Sequence, residues 1–249
     1  MNPDGGNYYL NERQDGLYII SNSSETANDM SESQGKPAPL RVGIVLFPGF
    51  QALDVFGPVD CMNVLSWSHS VTLALISSTL EPVTTKSPAS ANAIGQSVVP
   101  THTFATAPSL DLLFIPGGLG TRGSSPAIEE AISYVRNVYP QLGYLITVCT
   151  GAGLAARAGV LDGKRATTNK MAWAEITSLR VDVDWVPRAR WVIDGKIWSS
   201  SGVSAGIDVT FAWIEEVYGS ELARKISDSM EYTRHKDPTH DPFAELYGL

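Results

Sequence analysis

A cysteine, Cys149, stands where an apolar run changes abruptly into small residues. The preceding residues 144–148 have the apolar, β-branched character of a buried strand, and an alanine-rich segment that favours a helix begins near Gly151. A sharp strand-to-helix turn holds one side chain at its apex, and Thr147 and Gly151 are small enough to let the turn close. A helix start favours a thiolate, so this segment predicts a nucleophile. The alternative is that Cys149 is an unreactive buried cysteine. Cys61, which lies in a predicted helix with no turn around it, is interpreted as such a structural cysteine.

Two other segments could complete a site around this thiol. Asp54 lies among apolar residues, a setting that raises the pKa of a carboxyl group and suits it to acid–base catalysis beside a thiol. The alternative is that Asp54 is the N-cap of the helix that follows. The glycines of residues 116–118 allow a close backbone approach, so that the amides of Gly118 and Leu119 could hold developing negative charge. The alternative there is a tight strand-to-loop turn.

Other kinds of site find little support in the sequence. No histidine adjoins the Cys149 turn, which argues against a cysteine–histidine pair; the four histidines are His69, His102, His235 and His240. No group of His, Cys, Asp or Glu has the spacing of metal ligands, so we expect no metal site. The glycines at Gly117 and Gly120 are not the full fingerprint of a dinucleotide-binding loop.

Composition limits the class of protein and its partners. The 249 residues, of which 43% are hydrophobic and 18% charged, suit one α/β domain with a tail. A formal charge of -8 argues against a nucleic-acid-binding surface. No apolar run approaches the roughly 20 residues of a membrane span, and the first residues do not resemble a signal peptide. Two cysteines in unlike contexts do not form a disulfide framework. We therefore expect a cytoplasmic protein with no nucleic-acid or membrane partner.

The order of elements predicts a mainly parallel sheet with helices on both faces. Residues 1–39 are polar and are predicted to form a poorly ordered extension, although its Tyr and Ile runs could add a short strand. Residues 40–249 are predicted to form a single domain in which strands alternate with helices, and residues 81–100 suggest a small hairpin excursion. We predict strands at 42–47, 71–76, 112–115, 144–148, 165–168, 181–185, 190–193 and 197–200, and helices at 54–65, 125–138, 154–158, 205–218 and 220–230.

Ligands of open α/β sheets bind outside the carboxyl ends of the strands. Asp54, Gly117 and Cys149 each follow a predicted buried strand, so the topology predicts that they share one pocket.

Several segments, in this order, resemble the ThiJ/PfpI superfamily, whose fold is similar to the class I glutamine amidotransferases. They are Leu-Phe-Pro-Gly at 46–49 with Leu-Asp-Val-Phe-Gly-Pro at 53–58, Ile-Pro-Gly-Gly at 115–118, Val-Cys-Thr-Gly-Ala at 148–152, Leu-Asp-Gly-Lys-Arg-Ala-Thr-Thr at 161–168, and Gly-Val-Ser-Ala-Gly-Ile-Asp at 202–208. The resemblance implies a flavodoxin-like α/β fold and is closest to the isonitrile (isocyanide) hydratase group.

The resemblance also implies roles for individual residues. It makes Cys149 the nucleophile, Asp54 its acid, and Thr150 a helper at the turn, with the Gly118 amide beside the sulfur. The residues that it places around the substrate pocket are Gly117, Ser201, Gly202 and Val203. It further implies a homodimer that acts on a small molecule without a metal or organic cofactor.

The activity implied is hydration of a small electrophile, most closely of an isocyanide to an N-substituted formamide through a Cys149 thioimidate. The alternatives are a sensor based on oxidation of Cys149 and a related hydratase or lyase of secondary metabolism. Relatives often carry His after the Arg-Ala-Thr-Thr segment, where Asn169 and Lys170 stand here, and Ser199–Ser201 replaces a glycine-rich loop. Thr150 occupies the position of the histidine of the peptidase-like branch, which argues against proteolysis.

Overall fold

The computed structural model describes residues 9–12, 18–21, 40–87 and 92–249. The chain divides into two units, Met1–Pro37 and Ala38–Leu249. In the first unit β1 (Tyr9–Glu12) pairs antiparallel with β2 (Tyr18–Ser21), so the short strand suggested by the Tyr and Ile runs is present as a strand pair. The predicted disorder of the rest of residues 1–39 lies outside the described residues.

The second unit alternates strands and helices. Its strands are β3 (Leu40–Val45), β4 (Val71–Ser77), β5 (Val83–Thr84), β6 (Ser97–Val98), β7 (His102–Thr103), β8 (Leu112–Ile115), β9 (Tyr144–Thr147), β10 (Arg165–Ala166), β11 (Asp184–Trp185), β12 (Trp191–Asp194) and β13 (Ile197–Ser200). Its α-helices are α1 (Ala52–Leu65), α2 (Pro126–Val138), α3 (Gly151–Arg157), α4 (Trp173–Thr177), α5 (Ala205–Tyr218), α6 (Ser220–Ser229) and α7 (Pro242–Leu246), with 3-10 turns at Leu119–Thr121 and Tyr139–Gln141.

A seven-stranded sheet forms the centre of this unit, in the order β12-β13-β9-β8-β3-β4-β7. Neighbouring strands are parallel except β12 and β13, which form an antiparallel hairpin at one edge. The predicted mainly parallel sheet is therefore confirmed. The predicted hairpin excursion is confirmed as well, since β5 pairs antiparallel with β6 beside the main sheet.

Helices cover both faces because the chain leaves the sheet centre in two directions. From β3 the connection through α1 leads to β4 on one side, and from β8 the connection through α2 leads to β9 on the other. Right-handed crossovers then place α1 and α2 on opposite faces. Accordingly, α1 packs against α5 and α2 against α3. No described helix combines the length and apolar character that a membrane crossing requires.

The burial patterns of the strands and helices agree with the sequence patterns that predict them. All residues of β8 are buried, as expected of a central parallel strand covered on both faces. Helix α2 is amphipathic and buries Ile128, Ala131, Ile132 and Val135, a spacing of three and four residues. Sequence reasoning missed α4 and α7, because helices of five residues are too short to display a period.

A buried ion pair fastens the segment after α6 to the domain. Arg190 Nη2 lies 2.6 Å from Asp208 Oδ2, and Arg190 Nε donates to the same oxygen at 2.8 Å. The other carboxylate oxygen, Oδ1, accepts from the Tyr232 hydroxyl at 2.9 Å and from the His235 amide at 3.0 Å. Both partners of the pair are buried, so the loss of one would leave an uncompensated charge in the interior.

We expect Asp208→Ala to lower the free energy of unfolding by roughly 3–5 kcal/mol, since it leaves the buried guanidinium group of Arg190 without its partner. Urea denaturation followed by circular dichroism measures this change. The control is Asp228→Ala, which removes the partner of Arg224 from an exposed pair on α6 and should cost less than about 0.5 kcal/mol. Equal losses in the two variants would contradict a structural role for the buried pair.

Candidate active site

The predicted strand-to-helix turn is present at Cys149. Cys149 follows β9 and has a φ of 58°, a left-handed conformation that is strained for a residue other than glycine. Its amide donates to the Ser201 carbonyl at 3.0 Å, and its carbonyl accepts from the Thr168 hydroxyl at 2.9 Å. Gly151 allows α3 to begin beside β8, because a Cβ there would lie 2.2 Å from the Ile115 oxygen. Two loops thus hold the strained apex in place.

Asp54 lies in the first turn of α1 and is not its N-cap, which is Gln51. The N-cap alternative for Asp54 is therefore wrong. The side chain is 1% exposed; its Oδ2 accepts from the Gly117 amide at 2.9 Å, and its Oδ1 has no hydrogen-bond partner among the described residues. Burial raises the pKa of this carboxyl group to about 7, against the opposing effects of the Gly117 amide and the Cys149 side chain.

The Cys149 thiol is 6% exposed and lies close enough to Asp54 for each group to alter the pKa of the other. Burial first, and then the charge of Asp54, raise the pKa of the thiol to about 12. The amides of Val203 and Thr150 and the side chain of Asn169 act in the opposite direction. The Thr150 amide at the helix start thus lowers the pKa of the thiol as predicted, but desolvation outweighs it, and the net shift is away from the thiolate.

The Thr150 hydroxyl group holds the glycine loop. The Gly118 amide donates to Thr150 Oγ1 at 2.9 Å, and the Thr121 hydroxyl lies 3.0 Å from the same oxygen. The Gly118 amide is thus occupied, which removes it from the predicted oxyanion role; that of Leu119 stays a prediction. The amides that act on the sulfur are those of Thr150 and Val203. Gly118 has a φ of 134°, and a Cβ there would lie 2.4 Å from the Gly49 oxygen.

A cavity of about 230 Å³ opens beside this site. It is lined by Asn169, Lys170, Met171, Ser201, Gly202, Val203, Ser204, Phe243 and Tyr247. Ser201, Gly202 and Val203 thus lie where a substrate pocket was predicted, whereas Gly117 is not part of this lining. A Cβ on Gly117 would instead lie 2.9 Å from the Cβ of Cys149, so this glycine permits the close approach of the two loops.

Sequence reasoning missed the residues that the end of the chain contributes to the cavity, Phe243 and Tyr247. It noted Asn169 only as a departure from relatives, although its side chain acts on the thiol. No periodic pattern or motif marks these positions. The Asp241–Pro242 pair at the start of α7, an N-cap followed by proline, was the one available hint that the C-terminal segment is structured.

Among the described residues, the groups that act on the Cys149 thiol include no histidine. His69 packs edge-on against Tyr218, and the His235 amide bonds to Asp208. No three or more His, Cys, Asp or Glu side chains of the described residues are grouped so that they could hold a metal ion.

Two comparisons with curated proteins relate the chain to proteins of different kinds. It is 34% identical over 194 residues to the isonitrile hydratase of Pseudomonas putida. This match covers 78% of this chain and 78% of the hydratase. It is 29% identical over 157 residues to the HTH-type transcriptional regulator GbdR of Pseudomonas aeruginosa. That match covers 62% of this chain and 42% of the regulator, so the chain spans less than half of the regulator's length.

Solved structures share the fold. A THiJ/PfpI family protein from Pseudomonas syringae superposes with a TM-score of 0.63 at 23% identity, over 86% of this chain and 85% of that chain. DJ-1beta of Drosophila melanogaster superposes with a TM-score of 0.61 at 19% identity, over 79% of this chain and 100% of that chain. Residues 40–216, most of the chain, match the DJ-1/PfpI family. The protein is a member of the DJ-1/PfpI family.

Proposed function

We propose that the protein is a cysteine-dependent hydratase that converts an isocyanide, R–N≡C, to an N-substituted formamide. The observation that carries this proposal is the buried pair of Cys149 and Asp54, in which the carboxyl group has a pKa of about 7. A thiol beside a carboxyl group that can gain and lose a proton near neutral pH is suited to nucleophilic addition. The similarity to an isonitrile hydratase supports the choice of substrate.

The pair begins the reaction with one proton. Since the pKa of Asp54 is about 7 and that of the Cys149 thiol about 12, the pair retains a single proton between these values. In the first step the sulfur forms a bond to the terminal carbon of the isocyanide. The thiol proton passes to Asp54 and from there to that carbon. The product is a thioimidate, Cys149–S–CH=N–R, formed without a change in oxidation state.

Water completes the reaction. Asp54 takes a proton from water as the water oxygen bonds to the thioimidate carbon, and it passes this proton to the substrate nitrogen. The carbon–sulfur bond then breaks as the new hydroxyl group loses its proton to Asp54 and becomes a carbonyl, and Asp54 delivers that proton to the sulfur. The net change is the addition of one water molecule to R–N≡C, which gives R–NH–CHO. The alternation of Asp54 between base and acid requires a pKa near the working pH, as burial provides.

The backbone around the pair supports this chemistry. The Gly117 amide holds Asp54 Oδ2 at 2.9 Å and leaves Oδ1 for the moving proton. The amides of Val203 and Thr150 favour charge on the sulfur, so they stabilise it as its proton leaves. In this proposal the enzyme acts as a homodimer on a small molecule and needs neither metal nor organic cofactor.

The sensor alternative is less well supported by the site. Cysteines that sense oxidants are accessible and have a depressed pKa, since the thiolate is the species that is oxidised. Cys149 is 6% exposed, and its pKa is raised to about 12. A neutral, buried thiol that is activated only by its neighbour favours catalysis on a bound small molecule.

Activity should depend on both members of the pair. We expect the purified protein to form N-substituted formamides from alkyl isocyanides. Chromatography measures the amount of formamide formed. Cys149→Ala should lower kcat by at least about 10³-fold, and Asp54→Asn by roughly 10²–10⁴-fold. Cys61→Ala is the matched control, because Cys61 is also buried but lies in α1 outside the site. Full activity of Cys149→Ala, or no formamide from any isocyanide with the wild type, would overturn the proposal.

The pH dependence follows from the pair. We expect kcat/KM to rise with pH through about 7 and then to level off up to about pH 10. Below pH 7 Asp54 is protonated and cannot accept the thiol proton, whereas the thiol itself does not ionise until about pH 12. Initial rates across buffers of constant ionic strength measure the profile. A profile without an acid limb near pH 7 would contradict the role of Asp54.

The same carboxyl group should affect stability. In the unfolded chain Asp54 loses its proton near the ordinary value of 3.8, whereas in the folded protein it keeps the proton up to about 7. The stability contributed by this group is therefore lost as the pH rises from about 4 to 7.

We expect Asp54→Asn to be more stable than the wild type at pH 8, by a few kcal/mol at most at about 1.4 kcal/mol per pKa unit. The difference should vanish toward pH 4. Thermal unfolding at both pH values tests this expectation. Asp60→Asn, on the exposed side of the same helix, is the control and should show no such pH-dependent gain. A destabilised Asp54→Asn at pH 8 would contradict the raised pKa.

A further inference from the structure

Two consecutive glycines, Gly117 and Gly118, lie beside the acid of the proposed site. The Gly117 amide donates to Asp54 Oδ2 at 2.9 Å, and this hydrogen bond lowers the pKa of the carboxyl group against the larger effect of burial. Glycine loses more conformational freedom on folding than any other residue. A Gly-Gly segment therefore does not hold this amide in place by itself, and contacts from its surroundings have to do so.

Backbone contacts hold the residues on either side of Gly118. The Gly117 carbonyl accepts from the Gln51 amide at 2.8 Å, and the Gly120 amide donates to the Gly49 carbonyl at 3.0 Å. Gly118 itself has a φ of 134° and a ψ of 167°, a conformation that is open almost only to glycine. A second set of contacts has to fix this residue, because it has no side chain to restrict it.

Two threonine hydroxyl groups meet at Gly118. Thr150 Oγ1 accepts from the Gly118 amide at 2.9 Å. The Thr121 hydroxyl group donates to the Gly118 carbonyl at 2.8 Å and lies 3.0 Å from Thr150 Oγ1. Both threonines are buried, so water competes little for these hydrogen bonds. The two hydroxyl groups and the peptide groups of Gly118 thus form one closed set of polar contacts.

Thr121, at the end of the 3-10 turn after the glycines, acts on the reacting groups only through its neighbours. It is not among the groups that alter the pKa of the Cys149 thiol or of the Asp54 carboxyl group. Its partner Thr150 follows Cys149 directly, and the Thr150 amide acts on the sulfur. Its other partner, Gly118, adjoins the amide that bonds Asp54. One hydroxyl group therefore joins the turn that carries the nucleophile to the loop that bonds the acid.

We propose that Thr121 is a positioning residue of the hydratase, whose hydroxyl group fixes Thr150 and Gly118 and thereby holds the Gly117 amide against Asp54. This inference rests on the proposed function and names a further residue on which the reaction depends. Because the Gly117 amide favours the ionised carboxylate, Thr121 also sets the pH above which Asp54 accepts the thiol proton.

The charged groups on the surrounding elements do not perform this function. Among the described residues, the titratable side chain that acts on Asp54 is that of Cys149, and its own pKa of about 12 lies far above the range in which Asp54 titrates. The charged side chains of α1, α3, α5 and the glycine loop are otherwise exposed, as are Asp60 and Glu216, or paired, as are Asp208 with Arg190, Glu215 with Arg234, Arg122 with Glu175, and Arg157 with Glu129.

The test is the pH profile of Thr121→Val, which removes the hydroxyl group and keeps the shape of the side chain. A weaker bond from the Gly117 amide raises the pKa of Asp54, so the acid limb of kcat/KM should shift upward by about 0.5–1 pH unit. At pH 6 kcat/KM should therefore fall roughly 3–10-fold, and at pH 9 by less than about twofold. Thr121→Ser keeps the hydroxyl group and should retain the wild-type profile. Thr121→Ala removes it with a smaller side chain and should give the same shift as valine.

The matched control is Thr210→Val. Thr210 is also buried, and its hydroxyl group donates to the Gly206 carbonyl at 2.7 Å within α5, outside the site. The control therefore removes a buried hydrogen bond of the same kind and should leave the acid limb where it is. If Thr121→Val lowers kcat/KM by one factor at every pH, or if Thr210→Val shifts the acid limb equally, Thr121 has only a structural role and the inference is overturned.

A titration without substrate separates this inference from the hydratase proposal. Carbon-13 NMR of the side-chain carboxyl groups follows the protonation of Asp54, whose signal is identified by its loss in Asp54→Asn. In Thr121→Val the midpoint of this titration should rise by the same amount as the acid limb. If the wild type hydrates no isocyanide but the midpoint rises, the hydratase proposal falls and the control of Asp54 by Thr121 stands. If the wild type is active and neither the midpoint nor the acid limb moves, the inference about Thr121 is wrong.

Discussion

Desolvation of the Cys149–Asp54 pair is the physical effect on which the rest of this site depends. Water is nearly excluded from both side chains, and this exclusion raises the pKa of the carboxyl group to about 7 and that of the thiol to about 12. In water the carboxyl group would ionise near pH 3.8 and would be a poor acid at neutral pH. Burial moves its pKa to a value at which the carboxyl group can both accept and donate a proton near neutral pH.

The fold stabilises an arrangement that would be unfavourable by itself. A cysteine at a φ of 58° and an aspartate with one unpaired buried oxygen both cost free energy. The cost is offset because the apex is bonded on both sides, to Ser201 and to Thr168, and because the Gly117 amide meets the carboxylate. These partners come from separate loops at the carboxyl ends of the strands, where a parallel sheet brings distant parts of the chain together.

The end of the chain is held in place by buried ion pairs and lines part of the cavity. Arg190 and Asp208 hold the segment after α6, and Lys170 and Asp241 hold α7. Both ion pairs are buried, so each constrains where the chain can lie more than an exposed pair would. The result is that a short helix, Pro-Phe-Ala-Glu-Leu, becomes one side of the cavity beside the thiol. Asn169 also lines this cavity, and its side chain acts on the sulfur.

The sequence by itself determined the alternation of strands and helices, the turn at Cys149 and the apolar setting of Asp54, because local periodicity and composition encode these features. It also predicted that both residues lie at one edge of the sheet. Only the tertiary structure decided the protonation state of the thiol and the hydrogen bond from the Gly118 amide to Thr150. It also decided that Phe243 and Tyr247 line the cavity. These properties depend on burial and on contacts between residues far apart in the chain, which no local pattern records.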